Sequence, residues 1–75
     1  MNDARRTEIQ RARTLIEQAK GILEAALAKE QEDFDNMPED LRNDETGQGA
    51  EDAIDALERA VTCCDETMSA CGEAI

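Results

Sequence analysis

Residues Ala50 to Ile75 read AEDAIDALERAVTCCDETMSACGEAI, and this stretch decides the fold. Ala50, Ile54, Leu57, Val61, Cys64, Met68, Cys71 and Ile75 recur on an unbroken four-three spacing. That is the a/d pattern of a helix packed along its whole length against another helix. A second row runs beside it: Ala53, Ala56, Ala60, Cys63, Thr67, Ala70 and Ala74, at positions g and c. The acids Glu51, Asp52, Asp55, Glu58, Asp65, Glu66 and Glu73 all fall at b, e or f. One helix thus presents two apolar seams and one charged face. Two seams call for two neighbours, and Ala53, Ala56, Ala60, Cys63, Ala70 and Ala74 are read as the oligomer seam.

Upstream, a first helix is expected over residues 3–35, starting at the good N-caps Asn2 or Asp3. Thr7 with Gln10 is a weaker capping alternative one turn later. The a/d seam of this helix is read as Ile9, Ala12, Ile16, Ala19, Leu23 and Ala26, widened by Leu15, Ile22 and Ala25. Gly21 interrupts it at a cost of about 1 kcal/mol. A connector is expected over 36–49 and the last helix over 50–75. Pro38 ends the first helix and pushes Met37 out of helical geometry. Pro38-Glu39-Asp40-Leu41 then reads as a one-turn helix. Phe34, Met37 and Leu41 are spaced to plug the end of a hairpin. Thr46-Gly47-Gln48-Gly49 marks the next break, with Asp44 or Thr46 capping the last helix. No alternating strand pattern and no repeat longer than the heptad is present.

A chain of 75 residues makes one small domain with little area to bury. Large apolar side chains are few, and Phe34 is the one aromatic residue. A lone two-helix hairpin looks underpowered, and self-association is the simplest remedy. The expected architecture is all-α: two long antiparallel helices and a short helical-turn connector, forming a homodimeric four-helix bundle.

The net charge is −11 and unevenly placed. Residues 1–30 hold six basic residues against five acids, whereas residues 31–75 hold Arg42 and Arg59 against fourteen acids. Such a field repels nucleic acid and anionic membrane and favours basic partners. No stretch of about 18 apolar residues spans a membrane, and the N-terminus lacks the apolar region of a signal peptide. Cys64 and Cys71, seven residues apart on one helix, are too distant to bond to each other. The three cysteines read as reduced thiols of a cytoplasmic protein, with Cys63 placed where it could cross-link a symmetric dimer.

Motifs for chemistry are weak. Asp33-Phe34-Asp35 opens like a calcium loop, but Met37 and Pro38 stand where an oxygen ligand and a glycine are required. No histidine accompanies the cysteines, and adjacent Cys63 and Cys64 diverge by about 100° on a helix. A nucleophile lacks a histidine base and a phosphate loop is missing, so neither an enzyme nor a metal or cofactor is expected. Arg5, Arg6, Arg11 and Arg13 cluster, but Glu8 and Glu17 offset them and no aromatic residue interleaves for base stacking. The remaining feature is acidic. Asp33, Asp35, Glu39, Asp40, Asp44 and Glu45 are the candidate partner-binding residues, joined by Glu32 and opposed only by Arg42. Carboxylates on a stiff rod can imitate DNA phosphates and occupy the basic groove of a nucleic-acid-binding host protein. The alternative is an assembly protein whose acids only solubilise it.

The stretch Glu30–Ala60, with Phe34-Asp35-Asn36-Met37-Pro38-Glu39 and Leu41 at its centre, resembles a group of small uncharacterised phage and prophage proteins. Those carry a Phe/Tyr-Asp-Asn-Met/Leu-Pro-Glu-x-Leu connector between two acidic helices. Glu45, Gly47 and the helix Ala50–Glu58 also match. Arg42, Asp44, Thr46 and Gln48-Gly49 depart from the pattern. The resemblance implies a phage accessory protein acting in the bacterial host cytoplasm. By analogy with other small acidic phage proteins, an inhibitor of host defence of the anti-CRISPR kind is the expected class.

Overall fold

Backbone amides at a helix start need acceptors, and two side chains supply them here. In the computed structural model, which describes all residues from Met1 to Ile75, Asn2 Oδ1 accepts from the Arg5 amide at 2.8 Å and opens α1, Asp3–Asp35. Asp44 Oδ1 accepts from the Thr46 amide at 2.8 Å and opens α3, Glu45–Ala74. Thr7, the alternative cap, instead donates its hydroxyl back to the Asp3 carbonyl at 3.0 Å. α1 stops at Asn36, two residues before Pro38, as the missing proline N–H and the restricted preceding residue require. Between them lies α2, a single turn over Glu39–Arg42 with Pro38 at its N-cap.

α1 and α3 pack antiparallel into a hairpin of 58 × 14 × 12 Å, and there is no strand. α3 begins at Glu45, so Thr46-Gly47-Gln48-Gly49 is its first turn rather than a break, and the connector ends earlier than the expected Gly49. The glycines were misleading as terminators. Neither Gly47 nor Gly49 has a positive φ, and the Asp44 cap outweighs their poor propensity.

The contact face of α3 is the one read from its spacing. Ala50, Ile54, Leu57, Val61, Cys64, Met68 and Cys71 are half-buried. The contact face of α1 differs from the expected a/d seam. Ile9, Ile16, Leu23, Leu27 and Phe34 are half-buried together with Lys20 and Glu30, while Ala12, Ala19 and Ala26 are exposed. The helix is rotated so that large side chains and the long stems of Lys20 and Glu30 cover α3. Alanines offer less area to bury, and a lysine stem can lie on an apolar surface while its head reaches polar company. Lys20 Nζ finds Asp65 Oδ1 across the hairpin at 2.6 Å. The hydrogen bond to Asp65 raises the Lys20 pKa above its ordinary 10.5, with partial desolvation opposing and the charges of Asp65 and Glu24 assisting.

Gly47 is the one buried residue of the chain. Every other contact is half-wet, as expected of two rods touching along one line.

Candidate interaction surfaces

The acidic end is built around Arg42. Its Nη2 donates to the Asp35 carbonyl at 2.9 Å and to the Met37 carbonyl at 3.3 Å, and its guanidinium lies 5.4 Å from the centre of the Phe34 ring. Arg42 thereby ties the end of α1 to α2. Gly47 ties α2 to α3: a Cβ at this position would stand 1.9 Å from the Arg42 carbonyl oxygen. Only glycine lets the two backbones approach this closely. Phe34 and Met37 are half-buried over the hairpin end, whereas Leu41, the third expected member of the plug, is 43% exposed.

This construction sorts the six acids read from the sequence. Asp44 is occupied as the α3 cap. Asp33 lies 4.0 Å from Lys29 one turn back on α1. Asp35, Glu39, Asp40 and Glu45 are exposed and make no salt bridge. Arg42 is the cation nearest in sequence to Glu39, Asp40 and Glu45, and its guanidinium is committed to carbonyls and a ring. The four carboxylates therefore retain their charge uncompensated at one end of the rod. Glu39 and Asp40 form the first turn of α2, and Glu45 that of α3, where the partial positive charge of a helix N-terminus favours carboxylates. The inward turn of Arg42 left no trace in the sequence. A glycine five residues after it, inside a helical stretch, was the available sign of a close crossing.

The N-terminal arginines do not converge. Arg6 pairs with Asp3 at 3.4 Å, and the Arg13 guanidinium lies 3.8 Å from where a Cβ on Gly72 would stand. At 100° per residue, Arg5 and Arg11 point to other sides of α1. No group of three or more acids or thiols is arranged to hold a metal ion.

The proposed oligomer seam divides in two. Ala53 and Ala60 are half-buried at the edge of the hairpin contact, while Ala56, Cys63, Ala70 and Ala74 are exposed. All three cysteines are free thiols, with Cys64 and Cys71 half-buried in the hairpin contact. No helix is long and apolar enough to cross a membrane.

Comparison with protein-family models, with curated proteins and with solved structures gives no match.

Proposed function

We propose that the chain is a binding protein that presents a rigid acidic end to a partner with a basic surface. The observation that carries this reading is Arg42. By turning inward it fixes the connector and leaves Asp35, Glu39, Asp40 and Glu45 free of intramolecular salt bridges. A surface whose acids serve only solubility has no need of a fixed frame. Held carboxylates steer and select a basic partner at lower entropic cost than a flexible acidic tail. The partner class that fits is a host protein with a nucleic-acid-binding groove, in which carboxylates take the place of phosphates. The resemblance of the Phe34–Leu41 connector to phage proteins supports a counter-defence role in the bacterial cytoplasm.

The test is retention of host proteins by the immobilised chain, compared with a variant carrying Asp35→Lys, Glu39→Lys and Asp40→Lys. A retained protein should be absent from the variant, elute as salt is raised, and be displaced by a short DNA duplex competing for the same groove. Retention that ignores the charge reversal or the duplex rejects the acidic-end reading. A matching circular dichroism spectrum for the variant shows that the frame is intact.

A further inference from the structure

One face of the hairpin is apolar and unpartnered. Lys20 and Asp65 meet, so they mark a common side of the two rods. On α1, Ala19, Ile22 and Ala26 flank the contact line on the side opposite Lys20. On α3, Ala53, Ala60 and Cys63 flank it on the side opposite Asp65. Both second seams therefore share one face. Its largest members are Leu15 and Ile22, 54% and 72% exposed. Because the rods are antiparallel, Ile22 stands level with Cys63 and Leu15 with Ala70. Large side chains on α1 thus lie beside small ones on α3.

The elongated chain exposes more surface than its mass requires. A compact monomer of 8.3 kDa exposes roughly 4,600 Å², and this one exposes 5419 Å². The excess, roughly 800 Å², is about what one partner contributes to an interface of standard size.

We propose that a second copy of this chain covers this face, with α1 of each protomer lying over α3 of the other. The dyad then runs parallel to the rods, and every neighbouring pair of helices is antiparallel. Two observations select this pairing over α1 on α1 and α3 on α3. Leu15 and Ile22 meet the small side chains of the opposing α3 instead of one another, so that ridges enter a groove. At the end of the rods that holds the chain termini, the borders of the face also match in charge. At that end Arg11 edges the face on α1, while Glu66 and Glu73 edge it on α3. Arg11 is level with Glu73, so it faces that acid of the partner subunit. Stacking α3 on α3 would set two acid-rich borders together. The arrangement brings both acidic connectors to the same end, where physiological salt screens charges beyond about 8 Å. This inference stands apart from the acidic-end reading and survives if that reading fails.

Equilibrium sedimentation at micromolar concentration is expected to give twice the 8.3 kDa chain mass. Ile22→Glu should return it to one chain mass. Should that variant unfold, Ile22→Cys provides the decisive measurement. In the proposed pairing the new thiol faces the partner's Cys63, whereas within one chain the two side chains diverge. Mild oxidation should yield a covalent dimer that disappears when Cys63→Ser is added. A single-chain mass for the unmodified protein overturns the proposal. So does a covalent dimer that survives Cys63→Ser, or one formed by the unmodified chain through Cys63 alone, since each requires like helices to be stacked.

Discussion

Gly47→Ala and Gly49→Ala should move stability in opposite directions although they lie two residues apart in one helix. Replacing a helical glycine by alanine gains about 1 kcal/mol through propensity. At Gly49 nothing lies within 4 Å of the added Cβ, so the gain should be realised in full. At Gly47 the Cβ would stand 1.9 Å from the Arg42 carbonyl oxygen and 2.4 Å from its carbon, whereas ordinary contact begins at 3.4 Å. The two backbones must separate by about 1.5 Å, and neither is the tip of a flexible side chain. Overpacking of this kind costs about 1–3 kcal/mol, and a backbone clash belongs at the upper end. The net effect is a loss of about 2 kcal/mol, after the propensity gain is set against it. For a chain of this length each kcal/mol moves Tm by about 4–8 °C. Gly47→Ala should therefore melt about 8–16 °C below the unmodified chain and Gly49→Ala about 4–8 °C above it. Thermal denaturation followed at 222 nm measures both, at one fixed protein concentration because association shifts Tm. If Gly47→Ala melts at or above the unmodified chain, then α2 does not press on α3 and the acidic end is not rigidly framed.

Asp44→Ala removes the side-chain acceptor for the Thr46 amide and should cost about 1 kcal/mol, whereas Asp40→Ala, which loses only the attraction of the α2 N-terminus, should cost about 0.5 kcal/mol or less; thermal melts compare the two. Leu27→Ala should cost about 2 kcal/mol because Leu27 lies in the hairpin contact, while Leu41→Ala should cost about 1 kcal/mol or less because Leu41 is 43% exposed; denaturant midpoints compare the two. The Lys20–Asp65 pair gives a pH signature. The folded state raises the lysine pKa, so its contribution is complete at neutral pH and is lost as pH climbs through values above 10.5. Asp65→Asn should flatten that alkaline decline of Tm while changing Tm at neutral pH far less, since Asp65 is 53% exposed and water screens the pair.

The two rods and the proline break between them were legible because a/d spacing, N-caps and Pro38 act locally. The register of α1 was not. Its contact row, Ile9, Ile16, Lys20, Leu23, Leu27, Glu30 and Phe34, includes two charged residues that any hydrophobicity reading skips. The alternative row through Ala12, Ala19 and Ala26 is just as regular in the sequence. The choice between them depends on the opposing helix, where Asp65 receives Lys20. The acidic character of the connector was plain from composition. Which acids remain free was hidden, because that depends on Arg42 folding back on carbonyls five and seven residues upstream. Gly47 was read as punctuation for the same reason: its meaning lies in a crossing of two backbones.

The slenderness of the hairpin affects how it moves in water. Its radius of gyration is 17.1 Å, against about 11 Å for a globule of 75 residues. A particle so drawn out tumbles slowly end over end and quickly about its long axis, and its friction exceeds that of a sphere of equal mass. Even one copy would leave a sizing column ahead of its true weight. A side-by-side pair, thicker but no longer, would be rounder and show a smaller frictional ratio than the single rod.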